Sequence, residues 1–326
     1  MKALQLIAAG GALPCRTVTN EDLSRLVDTS DEWIASRTGI RRRHFCGEGE
    51  SCTALAVSAA RQALQRSGLP AQAIGCCVCA TLSGDHATPS TACLVQQALD
   101  LPEDIPVLDV NAACSGFVYG AAVARGLLAQ TGGRYALVVG CEQLSRLLDM
   151  TDRSTCVLFG DGAGAAVFEL VPAADAPFAV TLGARGSFAI EAGGPGPDPS
   201  RVTMDGRAVF RFAVDAIPRC TDALLHQSGR TLADMDWIVC HQANARIIDH
   251  CIKKLGAEEM AHKFFKNLDH TGNTSAASIP LALNELWETG ALRPGQTLLC
   301  VGFGGGLTWA GMLIRFQGRA ADEIAQ

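Results

Sequence analysis

A register repeated once along the chain constrains its fold more than any other feature. Ala136-Leu-Val-Val-Gly140 is matched by Leu298-Leu-Cys-Val-Gly302, and Asn111-Ala-Ala-Cys-Ser115 by Asn273-Thr-Ser-Ala-Ala277. The interval from Asn111 to Asn273 equals that from Gly140 to Gly302. Trp237-Ile-Val-Cys240 leads into the second asparagine segment much as Ile74-Gly-Cys-Cys-Val-Cys-Ala80 leads into the first. One offset shared by several elements marks duplication.

The repeated unit is α/β. Short β-branched or apolar runs at Ile74–Ala80, Tyr135–Gly140, Ala163–Glu169, Trp237–Cys240, Thr297–Val301 and Thr308–Phe316 predict strands. Longer small-residue stretches at Thr53–Ser67 and Ala213–Ser228 predict helices, giving the alternation of a layered fold. The boundary between halves is expected in Val171–Pro199, where prolines and glycines accumulate, so the halves are 1–171 and 172–326.

With 48% hydrophobic and 18% charged residues, the 326-residue chain can bury a large core. A formal charge of -6 offers no global attraction for nucleic acid or an anionic membrane. No run approaches the ~18 apolar residues of a membrane span. The apolar start, Met1 to Gly10, is followed by the helix-cap pattern Thr19-Asn-Glu-Asp-Leu23, so it reads as a first strand rather than a signal peptide. Fourteen cysteines scattered through apolar runs suit reduced thiols in the cytoplasm. Cys76, Cys77 and Cys79 do not make a metal site, because adjacent strand positions point to opposite faces.

Cys114 is the candidate nucleophile. An apolar strand ends at Val110, and Gly116-Phe-Val-Tyr-Gly120 opens a helix apolar on nearly every side, which should be buried. A cysteine at that N-terminus is expected to be favoured as thiolate by unpaired N–H groups and the helix dipole. His241 directly follows a strand, where open α/β sheets put functional groups, although taken alone it reads better as a satisfied core histidine. Asn273 precedes a second small-residue helix, and a turn or cap role explains it equally well. The glycine-rich runs Gly160–Gly164 and Gly302–Gly306 each lead into a strand rather than a helix, against dinucleotide binding.

Seven segments in order carry a family resemblance: Thr29–Ile34, Arg37–Ile40, Asn111–Phe117, Phe159–Ala166, His241–Asn244, Gly272–Ser278 and Gly302–Gly306. The chain resembles the β-ketoacyl-acyl carrier protein (ACP) synthase III enzymes of the thiolase-like superfamily. Relatives that elongate carry histidine where this chain has Asn273, so the set Cys114, His241, Asn273 points to the initiating class. The resemblance implies a five-layered αβαβα thiolase-like fold, a homodimer, and no cofactor beyond a coenzyme A (CoA) thioester used as substrate. It implies that Cys114 accepts an acyl group from acyl-CoA and that His241 and Asn273 serve decarboxylation of malonyl-ACP. It further implies an oxyanion hole from Cys114 and Gly305, and CoA binding by Thr29, Trp33, Arg37, Arg153, Gly206, Phe210 and Asn244. An ACP face would comprise Arg211, Arg246, Lys253 and Lys254. Leu144 and Thr88 would shape the acyl pocket, Thr88 standing where many members have a phenylalanine that reaches across the dimer. The alternatives are a synthase of secondary metabolism using another donor or acceptor, and a Cys-His thioester hydrolase.

Overall fold

The computed structural model describes residues 2–193 and 201–318. Pro195, Pro197 and Pro199, part of the boundary expectation, lie outside the described residues. Among the described residues, nine strands form one sheet: β1 (Lys2–Ala12), β2 (Ile74–Ala80), β3 (Val107–Val110), β4 (Tyr135–Glu142), β5 (Gly162–Pro172), β6 (Ala179–Ser187), β7 (Trp237–Cys240), β8 (Thr297–Gly304) and β9 (Gly306–Phe316). Their order is β7-β8-β9-β1-β5-β4-β2-β3, with β6 paired to β9.

The sheet is one pattern used twice. In the first half β2 pairs in parallel with β3 and β4, and β4–β5 and β5–β1 are antiparallel. In the second half β7 pairs in parallel with β8, and β8–β9 and β9–β6 are antiparallel. An isolated parallel bridge, Ile238–Phe264, stands where β3 would have its counterpart. Two pairs, Gln5–Arg315 and Leu6–Phe316, join the half-sheets through β1 and β9.

Seven helices position the site: α1 (Asp31–Thr38), α2 (Cys52–Ser67), α3 (Thr91–Ala98), α4 (Gly116–Thr131), α5 (Gly206–Ser228), α6 (Ala245–Lys254) and α7 (Ser278–Glu288). Their ends follow from capping. Ser51 accepts from the Ala54 N–H to start α2, and Gly68 at φ +63° stops it. Asp205 accepts from the N–H groups of Arg207 and Ala208, so α5 begins at Gly206, ahead of the expected Ala213. The Thr19 cap pattern is present, with Asp22 returning the bond.

Three apolar cores lie between the layers. One packs α2 and α3 on the first half-sheet, one surrounds α4 and α7 between the half-sheets, and one packs α5 and α6 on the second half-sheet. The layers are therefore helix, sheet, helix, sheet, helix. Central α4 buries Phe117, Val118, Gly120, Ala121, Ala124 and Leu128, while Tyr119, Ala122 and Val123 are half-buried and its last turn is exposed from Ala129.

Candidate functional site

Two equivalent turns build the centre of the site. After β3, Asn111 Oδ1 accepts from the Ala113 N–H at 3.2 Å, Ala113 takes φ +45°, and a 3-10 turn (Ala113–Ser115) runs into α4. In the second half Asn273 Oδ1 accepts from the Ser275 N–H at 2.9 Å, Ser275 takes φ +49°, and a 3-10 turn (Ser275–Ala277) runs into α7. Each turn lies on a glycine of the other half's sheet. A Cβ on Gly140 would meet Ala276 O at 2.2 Å, and one on Gly302 would meet Ser115 Cα at 2.8 Å. Those two close approaches bring Cys114, on the first turn, beside Asn273 and Ser275, which belong to the second.

Cys114, His241 and Asn273 line one cavity with Ser275, Phe303, Gly304 and Gly305. Gly304 must lack a side chain, because its Cβ would lie 2.8 Å from both the N and Cβ of Cys114. Thr308 Oγ1 ties this glycine loop to the cysteine turn, receiving the Ser115 hydroxyl at 2.6 Å and donating to Ala112 O at 2.9 Å.

The polarity of each group is fixed by its neighbours. The His241 backbone N–H donates to Val301 O at 2.8 Å, which fixes the residue's place, and ring Nδ1 lies 2.7 Å from Ser278 Oγ. Ser278 Oγ also accepts the Gln242 N–H at 3.4 Å, so its own hydrogen is free to go to Nδ1, which puts the ring hydrogen on Nε2. Burial pushes the imidazole down to about 3, so the ring is neutral at physiological pH. Asn273 uses Oδ1 on its own turn, which leaves Nδ2 as the donor.

The resting thiol departs from the sequence expectation. Burial pushes Cys114 up to about 12; the Ser275 hydroxyl and the N–H groups of Cys114 and Gly305 pull it down, and the Glu142 charge raises it further. Helix-end donors are present, as expected, but in a deep apolar cavity loss of hydration outweighs them. The resting sulfur is therefore a protonated thiol.

The cavity opens outward. Gly206, Phe210 and Asn244 line both the inner cavity and an outer recess with Arg37, Arg207, Arg211 and Arg246. Asn244 caps α6 and donates to Arg37 O at 3.0 Å. The guanidinium carbons of Arg37 and Arg153 lie 4.5 and 4.7 Å from the Trp33 ring centre. Arg153 also donates to Asp28 O, while Thr29 is half-buried just ahead of α1. Lys253 sits beside Arg246 on the rim, whereas Lys254 is paired with Asp215 at 2.5 Å and so presents little free charge. Leu144 lines the inner cavity; Thr88 is exposed and does not line this chain's own cavity. Among the described residues no group of three or more His, Cys, Asp or Glu could hold a metal, and no helix is long and apolar enough to cross a membrane.

Sequence reasoning passed over Glu142, Ser275, Ser278 and Arg207. A signal existed for Glu142, a carboxylate ending the otherwise apolar run Ala136–Glu142. Ser275 and Ser278 look like ordinary helix-start residues, and only their contacts distinguish them.

Comparison with known proteins gives a consistent result. The family described as 3-oxoacyl-[acyl-carrier-protein (ACP)] synthase III matches residues 108–186, and its C-terminal counterpart matches residues 225–316. The beta-ketoacyl-[acyl-carrier-protein] synthase III of Rubrobacter xylanophilus is 43% identical over 313 residues, covering 95% of this chain and 98% of the relative. The crystal structure of the 3-oxoacyl-[acyl-carrier-protein] synthase III of Aquifex aeolicus superposes with a TM-score of 0.89 at 38% identity, covering 96% of this chain and all of that one. The priming beta-ketosynthase of the R1128 polyketide pathway superposes with a TM-score of 0.90 at 32% identity, covering 97% and 96%.

Proposed function

Because this chain belongs to the 3-oxoacyl-[acyl-carrier-protein] synthase III family, we infer that its site joins an acyl-CoA primer to malonyl-ACP in two half-reactions, with Cys114 as the acyl carrier. The protein is an acyltransferase of the initiating step of fatty acid synthesis. In the first half-reaction the Cys114 sulfur attacks the primer carbonyl, the N–H groups of Cys114 and Gly305 receive the oxyanion, and the C–S bond to CoA breaks. In the second, Nε2–H of His241 and Nδ2–H of Asn273 donate to the malonyl thioester oxygen. Loss of CO2 leaves an enolate on that oxygen, and its carbon attacks acyl-Cys114, expelling the thiolate.

The observation that carries this reading is the convergence, in one cavity, of a thiol with two donors whose other atoms are already engaged. A hydrolase would need a base oriented to water; a neutral imidazole held as a donor suits enolate stabilisation instead. The test is acetyl-enzyme formation from radiolabelled acetyl-CoA. Wild type is expected to label at Cys114, Cys114→Ser to fall by about 10³-fold or more, and product analysis to give 3-oxoacyl-ACP with CO2. Release of free acid would overturn the reading.

Supporting features extend it. Arg37, Arg153 and Trp33 offer guanidinium and aromatic faces to a nucleotide and its phosphates, beside Thr29, Gly206, Phe210 and Asn244. Arg211, Arg246 and Lys253 supply local positive charge for an acidic carrier protein on an enzyme of net charge -6. Edge strand β3 keeps Val107, Leu108 and Val110 half-exposed, which suits a homodimer. Thr88 would then face the partner's acyl cavity. The inner cavity, about 160 Å³, holds roughly one benzene-sized group, so short or branched primers fit. We take 1–171 and 172–326 as the two halves, acting in the cytoplasm without a bound cofactor.

A further inference from the structure

Glu142 has no part in the steps above, yet it is fully buried at the end of β4, close enough to Cys114 for its charge to act on the thiol. Leu82 N–H and the hydroxyls of Thr81 and Ser83 all serve its Oε2, and its Oε1 has no hydrogen-bond partner. The Ser275 hydroxyl, also buried, likewise has no hydrogen-bond partner. Its proximity favours the ionised forms of both Glu142 and Cys114. Ser275 lines the cavity of Cys114, and its turn packs on Gly140, two residues ahead of Glu142, so an unsatisfied buried hydroxyl lies near both the unsatisfied carboxylate oxygen and the thiol. An unpaired buried polar group is costly and is retained where it serves a purpose.

We propose that Glu142, acting through the Ser275 hydroxyl, holds the proton that Cys114 gives up on attack and takes back after condensation. The inference rests on Cys114 being the acylated group. Before attack, Glu142 is carboxylate and Cys114 is thiol. As the sulfur adds to the primer carbonyl, the thiol proton passes to the Ser275 oxygen while the Ser275 proton passes to Glu142. The C–S bond to CoA then breaks, and the departing thiolate takes a proton from solvent. In the second half-reaction the enolate expels the Cys114 thiolate, and Glu142 returns the proton by the same path. No net charge is created in the cavity, which matters because ionising the thiol alone is opposed both by burial and by the Glu142 charge. Desolvation pushes the Glu142 carboxyl up to about 7, near the range in which a group both accepts and returns a proton. The groups facing it are Thr81, Ser83, Ser275 and the thiols of Cys114 and Cys141, with no basic side chain among them.

The test separates this role from a structural one and from failure of the nucleophile itself. Acetyl transfer from radiolabelled acetyl-CoA and decarboxylation of malonyl-ACP are measured separately in wild type, Glu142→Gln, Glu142→Asp and Ser275→Ala, with peptide mapping of the label. Expected are a fall of about 100-fold in acetyl transfer for Glu142→Gln and Ser275→Ala, decarboxylation within about twofold of wild type, and partial rescue by Glu142→Asp. The wild-type pH profile of acetyl transfer should rise through about 7, and that inflection should vanish in Glu142→Gln. Unchanged transfer and pH profile in both Glu142→Gln and Ser275→Ala, with wild type labelled at Cys114, would overturn the proposal alone. An equal fall in both half-reactions would make Glu142 structural. Label on another residue in wild type would overturn the nucleophile reading and this proposal with it. Should Glu142→Gln not fold, Ser275→Ala, which leaves the carboxylate in place, decides the matter.

Discussion

The first half ends its parallel strand β2 at Ala80 beside Gly116; the second ends β7 at Cys240, with His241 following and bonded to Ser278. The turn of the first half carries Cys114 where that of the second carries Ala276, and both place an asparagine two residues before a left-handed position. One backbone therefore supports two chemistries, a nucleophile from one half and two hydrogen-bond donors from the other. Duplication supplies the scaffold and a few side chains divide the work. The glycines facing each turn are what bring the two sets to one point.

The largest effect should come from those glycines. Gly140→Ala and Gly302→Ala force a Cβ against the opposite turn's backbone, and each should cost about 3 kcal/mol or more of stability. Chemical denaturation would measure it, and Gly140→Ala should be the worse because its clash is the shorter. Equal tolerance of both would mean that the turns do not depend on close approach.

Next come the paired asparagines, which make the same bond to their own turns. Asn273→Ala should lower malonyl decarboxylation by roughly 100-fold, about 3 kcal/mol of barrier, while leaving acetyl transfer measurable. His241→Ala should do the same. Asn111→Ala should cost only about 1 kcal/mol of stability and spare both half-reactions. A hundred-fold loss of decarboxylation in Asn111→Ala would erase the distinction between the halves.

Buried titrating groups also set the halves apart. Glu142 in the first half binds its proton more tightly folded, at about 7 against 4.5, so its contribution to stability is full below pH 4.5 and lost as pH rises through 7. His241 in the second half falls to about 3 from 6.5, so its contribution is present above pH 6.5 and lost as pH falls toward 3. Glu142→Gln should thus gain stability over wild type between pH 5 and 8 by an amount on the order of 3 kcal/mol. Denaturation midpoints at the two pH values give the difference, and a constant offset would show that the carboxyl does not titrate in this window.

The smallest effect concerns the primer. Thr88→Phe should narrow preference toward acetyl-CoA, by about 10-fold in kcat/KM against isobutyryl- or octanoyl-CoA. Unchanged ratios would remove Thr88 from the acyl pocket.

Much of this was legible in the chain itself. The shared interval between Asn111 and Asn273 and between Gly140 and Gly302 fixed the duplication, because equal spacing survives only where equivalent elements pack equivalently. Strands Ile74–Ala80 and Trp237–Cys240 fall on the expected residues, since fully buried parallel strands leave uninterrupted apolar runs. Helix α5 starts earlier than the apolar pattern predicts, because Asp205 caps it at Gly206.

What the sequence could not decide was the electrostatic state of the site. Cys114 stands at a helix start in the sequence, which argues for a thiolate, but its protonation depends on how completely water is excluded, and residues far apart in the chain determine that. Glu142 and Ser275 meet only because Gly140 admits the opposite turn. Local pattern determined which elements form and where the nucleophile and its donors stand along the chain. Tertiary packing decided which groups share one cavity, since burial, and with it charge and proton affinity, belongs to the assembled layers and not to any segment alone.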